Sequence, residues 1–191
     1  MSLPDKAELR STLRSKRRAL PASDRETRSQ AIARHAGDLP AWGRAKHCAL
    51  YLDSDGEVPT AALAESCRKA GKQLWLPVII EDKRLAFARW DADTELVSNR
   101  YGIPEPAAGT ERRALEVMDI VFLPLVAWDT RGSRLGMGGG YYDRSLAAAK
   151  GELALKVGLA YTFQEVTELP REAWDQSLDF ILTENGVVET R

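Results

Sequence analysis

The sequence predicts an α/β protein: a mostly parallel, open sheet with helices on both faces, in a Rossmann-like three-layer arrangement. Two observations predict it. The apolar strand HCALYL (47–52) is followed by a helical stretch, PTAALAESCRKAG (59–71), and then by a second strand, QLWLP (73–77). This order suits parallel neighbours, because a parallel pair needs a long crossover. Three more apolar runs of strand length lie downstream, MDIVFLP (118–124), ALKVGLAY (154–161) and DFILTE (179–184), and a short helix is predicted over 141–150. A length of 191 residues suits one compact domain, so 1–191 is read as a single unit.

Each element has a local reason. Residues 4–20 read as a first helix, with Ser2 as N-cap, Pro4 in the first turn, and Leu9, Leu13 and Leu20 at roughly helical spacing. Ser23 and Glu26 form a capping-box pattern that opens a second helix, running to about His35. Pro59 and Gly71 bracket the third. LAFARW (85–90) alternates like a half-buried strand. Gly102, Pro104, Pro106 and Gly109 mark 98–110 as a loop, and 162–178 reads as a mixed connection. No internal repeat is evident.

Composition excludes several classes. With 44% hydrophobic and 29% charged residues the chain can bury a core, so it is no disordered tail. A net charge of -1 offers no global basic surface, so neither nucleic acid nor a membrane is an expected partner. The longest nearly apolar stretch, LWLPVII, is too short to span a bilayer, and the first residues contain no apolar signal region. Cys48 and Cys67 form no C-x-x-C pair and fit buried, reduced thiols, so a cytoplasmic location is expected. A monomer is expected as well.

The run Arg134-Leu135-Gly136-Met137-Gly138-Gly139-Gly140-Tyr141-Tyr142-Asp143-Arg144 carries the chemistry. It follows a buried strand and a turn, Asp129-Thr130-Arg131-Gly132, and it precedes a helix. Glycines allow positive φ and close approach of backbone to a ligand. Successive N–H groups at a helix start then face an anion, and the helix dipole favours negative charge there. Arg134 and Arg144 flank the loop and could neutralise phosphate. Two familiar phosphate loops are absent. There is no G-x-x-x-x-G-K-S/T, and G-x-G-x-x-G fails because Tyr141 stands where the third Gly belongs. A flexible hairpin tip would not need two adjacent tyrosines and paired charges. Asp143, just inside the helix, fits either charge pairing at a helix N-terminus or a Mg²⁺ ligand.

Lys6, Arg10 and Arg14 recur at i, i+4 and i+8 and so share one helix face, while Leu9 and Leu13 would dock the adjoining face. The stripe is either a solvated surface or a clamp on a triphosphate or a carboxylate-bearing substrate. Lys16, Arg17 and Arg18 read as its solvated part. Asp53, Asp55 and Glu57 follow the strand at 47–52, and strand ends in open α/β sheets are where ligands bind. His35 and His47 lack metal-ligand spacing, and no Ser, Cys or His constellation indicates a protein nucleophile.

These residues resemble the signature of the 5-formyltetrahydrofolate cyclo-ligase family, also called 5,10-methenyltetrahydrofolate synthetase. RLGMGGGYYD matches its R-L-G-x-G-x-G-Y-Y-D run, and Lys6-Ala7-Glu8-Leu9-Arg10 its N-terminal K-x-x-L-R. The acidic turn from Leu52 to Glu57, the Gly-Ile-Pro-Glu-Pro loop (102–106), the run from Asp119 to Gly136, and the late stretch from Leu169-Pro170 to Asp175 and Asp179 extend the match over nearly the whole chain. Trp174 stands before Asp175 where many relatives have His, and Trp128 replaces a common Phe.

The resemblance implies an ATP-dependent enzyme that needs Mg²⁺. ATP phosphorylates the formyl oxygen of 5-formyltetrahydrofolate, polyglutamated or not. The substrate's own N10 then attacks, and 5,10-methenyltetrahydrofolate, ADP and phosphate result. It also implies roles. Lys6, Arg10 and Arg134 would contact ATP phosphates, with Gly136, Gly138, Gly139, Gly140 and Tyr141 cradling them. Arg134 and Asp143 would be catalytic, and Asp143 and Asp175 would hold Mg²⁺. Leu52, Glu57, Tyr101 and Tyr142 would line the folate site. Two alternatives stay open here: an ATP-dependent ligase or kinase on another small carboxylate-bearing substrate, and a nucleotide-binding module without turnover.

Overall fold

The computed structural model describes residues 5–99, 102–149 and 154–191. The chain opens with helices α1 (Lys6–Ala19) and α2 (Ala22–His35), strand β1 (His47–Ala49) and helix α3 (Ala61–Lys69). A hairpin follows, β2 (Gln73–Ile79) and β3 (Leu85–Arg89), then short strands β4 (Leu96–Ser98), β5 (Pro104–Pro106) and β6 (Arg112–Arg113). The central β7 (Ile120–Pro124) leads through β8 (Ala127–Trp128) and β9 (Arg134–Leu135) to helix α4 (Tyr141–Ala148). Strands β10 (Leu155–Leu159), β11 (Phe180–Thr183) and β12 (Gly186–Glu189) complete it.

The main sheet runs β12-β11-β10-β7-β1-β2-β3-β6. Its five central strands, β11 to β2, are parallel, and antiparallel strands flank them at both edges. Period-two alternation divides the core between two faces. Leu74, Leu76, Ile120 and Phe122 pack with Ile32 of α2 and Leu63 of α3 on one face. Trp75, Phe87, Val121 and Leu123 pack with Leu146 of α4 on the other. The predicted three-layer α/β arrangement is therefore found. The chain leaves β1 toward β2 on one side and resumes at β7 on the other. The winding direction reverses between these two strands, and their carboxyl ends open a crevice.

Helix α1 lies across that end of the sheet. Leu13 is buried against Val126, Ala127, Leu135 and Leu169, with Leu9 beside it. Among the described residues no helix is long and apolar enough to cross a membrane.

Several expectations need correction. Ser2 and Pro4 lie outside the described residues, and the N-cap of α1 is Asp5, whose carboxylate accepts the Ala7 N–H at 3.2 Å. The capping box at Ser23 and Glu26 does not form. Pro21, with φ -56°, already starts α2, and its carbonyl accepts from Asp24 and Arg25. The loop at 98–110 contains β5, paired antiparallel with β4. Arg17 is not solvated: it is fully buried.

Candidate active site

The approach to the glycine-rich loop is fixed by Asp129. Its Oδ1 accepts the N–H groups of Arg131 and Ser133, both at 3.0 Å, and its Oδ2 accepts that of Leu169 at 2.9 Å. Burial alone would raise its pKa. These N–H groups and the Arg131 guanidinium outweigh burial and hold the carboxyl below its ordinary value. One side chain thus closes the β8–β9 turn and ties it to the segment carrying residues 172–175.

The loop then enters α4 through left-handed backbone. Gly138 has φ 97° and Gly140, the residue before the helix, has φ 67°. Side-chain-bearing residues are strained there, by about 1–2 kcal/mol in a left-handed helical conformation. Gly139 has a different reason: a Cβ would stand 2.8 Å from the Tyr141 ring.

A cavity of about 1110 Å³ sits at the carboxyl ends of β1, β2 and β7, and the glycine loop and the first turn of α4 form one wall. Lys6 and Arg10 reach this wall from α1. Arg10 Nε donates to the Gly136 carbonyl at 2.9 Å, which docks the helix on the loop. Arg134 Nη2 donates to Asp143 Oδ1 at 2.7 Å, and the same oxygen accepts the Gln176 N–H at 3.2 Å. Asp175 caps its own turn by accepting the Glu172 N–H at 2.8 Å. Lys6 Nζ stands 3.4 Å from Glu172 and 3.9 Å from Asp175. Three cations and two aspartates from distant parts of the chain thus line one cavity.

Arg134 Nε and the Tyr142 hydroxyl are buried and have no hydrogen-bond partner among the described residues. Such atoms are uncommon in native structures and suit a ligand-binding wall. No group of three His, Cys, Asp or Glu side chains among the described residues could cage a metal. Two carboxylates lining one cavity would fit a Mg²⁺ that takes most of its ligands from phosphate and water, as that ion commonly does.

The lining that follows β1 is less charged. Leu52, Ser54 and Glu57 supply it from the turn after β1. Glu57 Oε2 accepts the Ser54 N–H at 3.0 Å. Burial is the main cause that raises the Glu57 pKa; the Ser54 N–H and Arg17 oppose it, and Asp53 and Asp55 add to it. Burial also raises the Tyr142 phenol, with the Glu57 charge contributing.

The predicted residues Lys6, Arg10, Leu52, Glu57, Arg134, Gly136, Gly138, Gly139, Gly140, Tyr141, Tyr142, Asp143 and Asp175 all line this cavity. Tyr101 lies outside the described residues. Arg144 lines the cavity too, but its guanidinium donates to the carbonyls of Gly139 and Lys83, so it braces the loop. Arg14 turns away to Asp55, with Nε 2.6 Å from Oδ2. Sequence reasoning gave no role to Tyr161, whose hydroxyl donates to the Glu57 carbonyl at 3.3 Å, or to Gln164, whose buried amide donates to the Leu125 and Val126 carbonyls. Neither stands in a motif that would single it out. The D-x-x-G turn did signal Asp129.

A doubly wound sheet whose crevice is lined by a glycine-rich loop and cationic side chains places the protein among the α/β enzymes with a cavity at the strand carboxyl ends. Residues 2–184 match the model of the 5-formyltetrahydrofolate cyclo-ligase family, and the chain belongs to that family. It is 39% identical to a 5-formyltetrahydrofolate cyclo-ligase from Haemophilus influenzae over 185 residues, covering 95% of this chain and 99% of that one. An Escherichia coli K12 protein of the same name is 37% identical, covering 93% and 99%. The solved 5,10-methenyltetrahydrofolate synthetase of Aquifex aeolicus superposes with a TM-score of 0.83 at 37% identity, covering 97% and 93%. That of Mycoplasma pneumoniae gives 0.77 at 26%, covering 95% and 99%.

Proposed function

We infer that the chain carries out the reaction for which its family is named, converting 5-formyltetrahydrofolate to 5,10-methenyltetrahydrofolate, and that ATP drives it. One observation carries the assignment of residues: the cation-rich loop wall, with Tyr142 in it, and the Leu52–Glu57 turn line one cavity, so a triphosphate and a flat heterocycle can meet there.

A formyl oxygen leaves poorly as hydroxide. In the proposed reaction it attacks the γ-phosphorus of ATP and ADP departs. N10 then bonds to the formyl carbon, the C–O bond breaks, phosphate leaves, and N10 gives up its proton. The nucleophile belongs to the substrate, so the chain must position groups and neutralise charge. Lys6, Arg10 and Arg134 would hold the phosphates against the N–H groups of the loop. Asp143 and Asp175 would hold Mg²⁺, which when bound screens the charge on the β- and γ-phosphate oxygens. Glu57 would accept N–H groups of the pterin, and Leu52 and Tyr142 would pack on the ring, with Tyr101 as a further stacking candidate.

The proposed partners are these two substrates, the folate with or without a polyglutamate tail, and the proposed state is a monomer. A cytoplasmic location fits the free, buried Cys48 and Cys67. The test combines folded protein, ATP, Mg²⁺ and 5-formyltetrahydrofolate. The near-ultraviolet absorbance of methenyltetrahydrofolate should grow and should require ATP. No signal, or a signal without ATP, overturns the assignment. Turnover of ATP with another carboxylate-bearing substrate but not with the folate supports a ligase or kinase of different specificity.

A further inference from the structure

Arg17 is charged and fully buried, yet it lines no part of the cavity. Its Nη1 donates to the Leu125 carbonyl at 3.0 Å. Its Nη2 donates to the Asp55 carbonyl at 3.1 Å and to Asp55 Oδ2 at 3.0 Å. Leu125 directly follows β7, and Asp55 lies in the turn after β1. The guanidinium therefore bridges the ends of the two strands between which the crevice opens. Gly56 completes the clamp. It has φ 73°, and a Cβ there would stand 2.8 Å from the Arg17 carbonyl carbon, so the turn lies in backbone contact with α1. The next residue is Glu57.

A buried guanidinium is costly, and Arg17 Nε has no partner among the described residues. Leu13 already docks the helix through apolar contact, so anchoring alone does not require this charge.

We infer that Arg17 is a positioning residue for the folate-binding carboxylate: it fixes the Asp55–Gly56 turn so that Glu57 faces the cavity. Its positive charge also favours the ionised carboxylate that would accept pterin N–H groups. The inference rests on Glu57 meeting the folate. The charges facing Glu57 are Arg17 and Arg14 from α1, and Asp53 and Asp55 from its own turn; the phenols of Tyr51 and Tyr142 also face it. Arg17 is the fully buried cation among these.

The test is steady-state kinetics with each substrate varied in turn, across pH, on Arg17→Gln, Arg17→Lys, Asp55→Asn and Glu57→Gln. Arg17→Gln should raise KM for 5-formyltetrahydrofolate about tenfold or more, with KM for ATP changed about twofold or less. The acid limb of kcat/KM for the folate should move to higher pH, because loss of a positive neighbour makes Glu57 easier to protonate. Arg17→Lys should keep that limb in place. Asp55→Asn loosens the clamp but removes a negative neighbour, so KM should rise while the limb moves to lower pH. It also serves if Arg17→Gln does not fold. Equal loss for both substrates, or limbs that stay put in folded Arg17→Gln and Asp55→Asn, overturns the role. If Glu57→Gln leaves KM for the folate unchanged, the site assignment falls and the inference with it. If Glu57→Gln raises that KM and the Arg17 and Asp55 variants do not, the inference about Arg17 alone falls.

Discussion

Arg134 shows what a single residue does here. Its side chain is only 6% exposed, its Nη2 donates to Asp143, and its Nε has no partner among the described residues. A planar, multi-donor cation suits a phosphoryl group better than an ammonium does. Arg134→Ala is expected to lower kcat about 100- to 1000-fold, the usual loss when a preorganised charge-stabilising donor is removed. Asp143 would keep the Gln176 N–H, so the helix start should persist, and circular dichroism beside single-turnover kinetics would check both. Arg134→Lys should recover only part of the loss. Glu57 makes the opposite bargain between stability and function. Its pKa in the folded chain is raised above the ordinary value, chiefly by burial. The folded state therefore binds that proton more tightly than the unfolded chain, and stability declines as pH rises from the ordinary carboxylate range through the raised value. Glu57→Gln escapes this decline. It should be more stable than the parent at neutral pH, the gap should close on acidification, and KM for the folate should rise. Urea titrations at neutral and acid pH measure the first two effects.

At the scale of elements, α1 carries Arg10 to the loop and Lys6 to the turn at 172–175, and Leu13 docks it through apolar contact. Leu13→Ala removes buried side chain from a small cluster and should cost about 2–4 kcal/mol of stability. The cost in function should reach both substrates: KM for ATP should rise because Lys6 and Arg10 share this helix, and KM for the folate because Arg17 does. A KM for ATP that stays put in the folded variant would mean that α1 does not serve the triphosphate. The same helix shows where sequence reasoning stops. The stripe of Lys6, Arg10 and Arg14 was legible from spacing. The burial of Arg17 was not, because a cation late in a basic helix looks solvated until the Asp55 turn and Leu125 are known to sit beside it. The buried strands were legible because they are continuous apolar runs. Strand β4 was not, since Leu96, Val97 and Ser98 are all exposed and show no alternation. Strand β12 had a usable signal in Asn185-Gly186: the turn of the β11–β12 hairpin is Glu184-Asn185, and Gly186, with φ 132°, opens the strand opposite Thr183.

At the scale of the molecule, the crevice was foreseeable once the β–α–β order was read, because winding reversal dictates where strand ends splay. The union of residue 6 with residues 134, 143 and 175 was not available from spacing; it followed from the family signature, and the structure brings these residues to one cavity. That convergence has a thermodynamic consequence. A ligand that bridges α1, the glycine loop and the turn at 172–175 stabilises the folded chain by about 2.7 kcal/mol at a hundredfold excess over its Kd. For a chain of this length that is a rise of about 5–10 °C in Tm. ATP should give a larger rise with Mg²⁺ than with a chelator present, because without a cation the carboxylates of Asp143 and Asp175 would repel the phosphates they share the cavity with. In Asp143→Asn/Asp175→Asn the two conditions should converge. The double variant should bind ATP in chelator at least as tightly as the parent does, since two negative charges have been removed from a polyanion site. If the parent's shift is indifferent to Mg²⁺, or the double variant still responds to it, these carboxylates are not the metal's ligands and Asp143 serves only as the partner of Arg134.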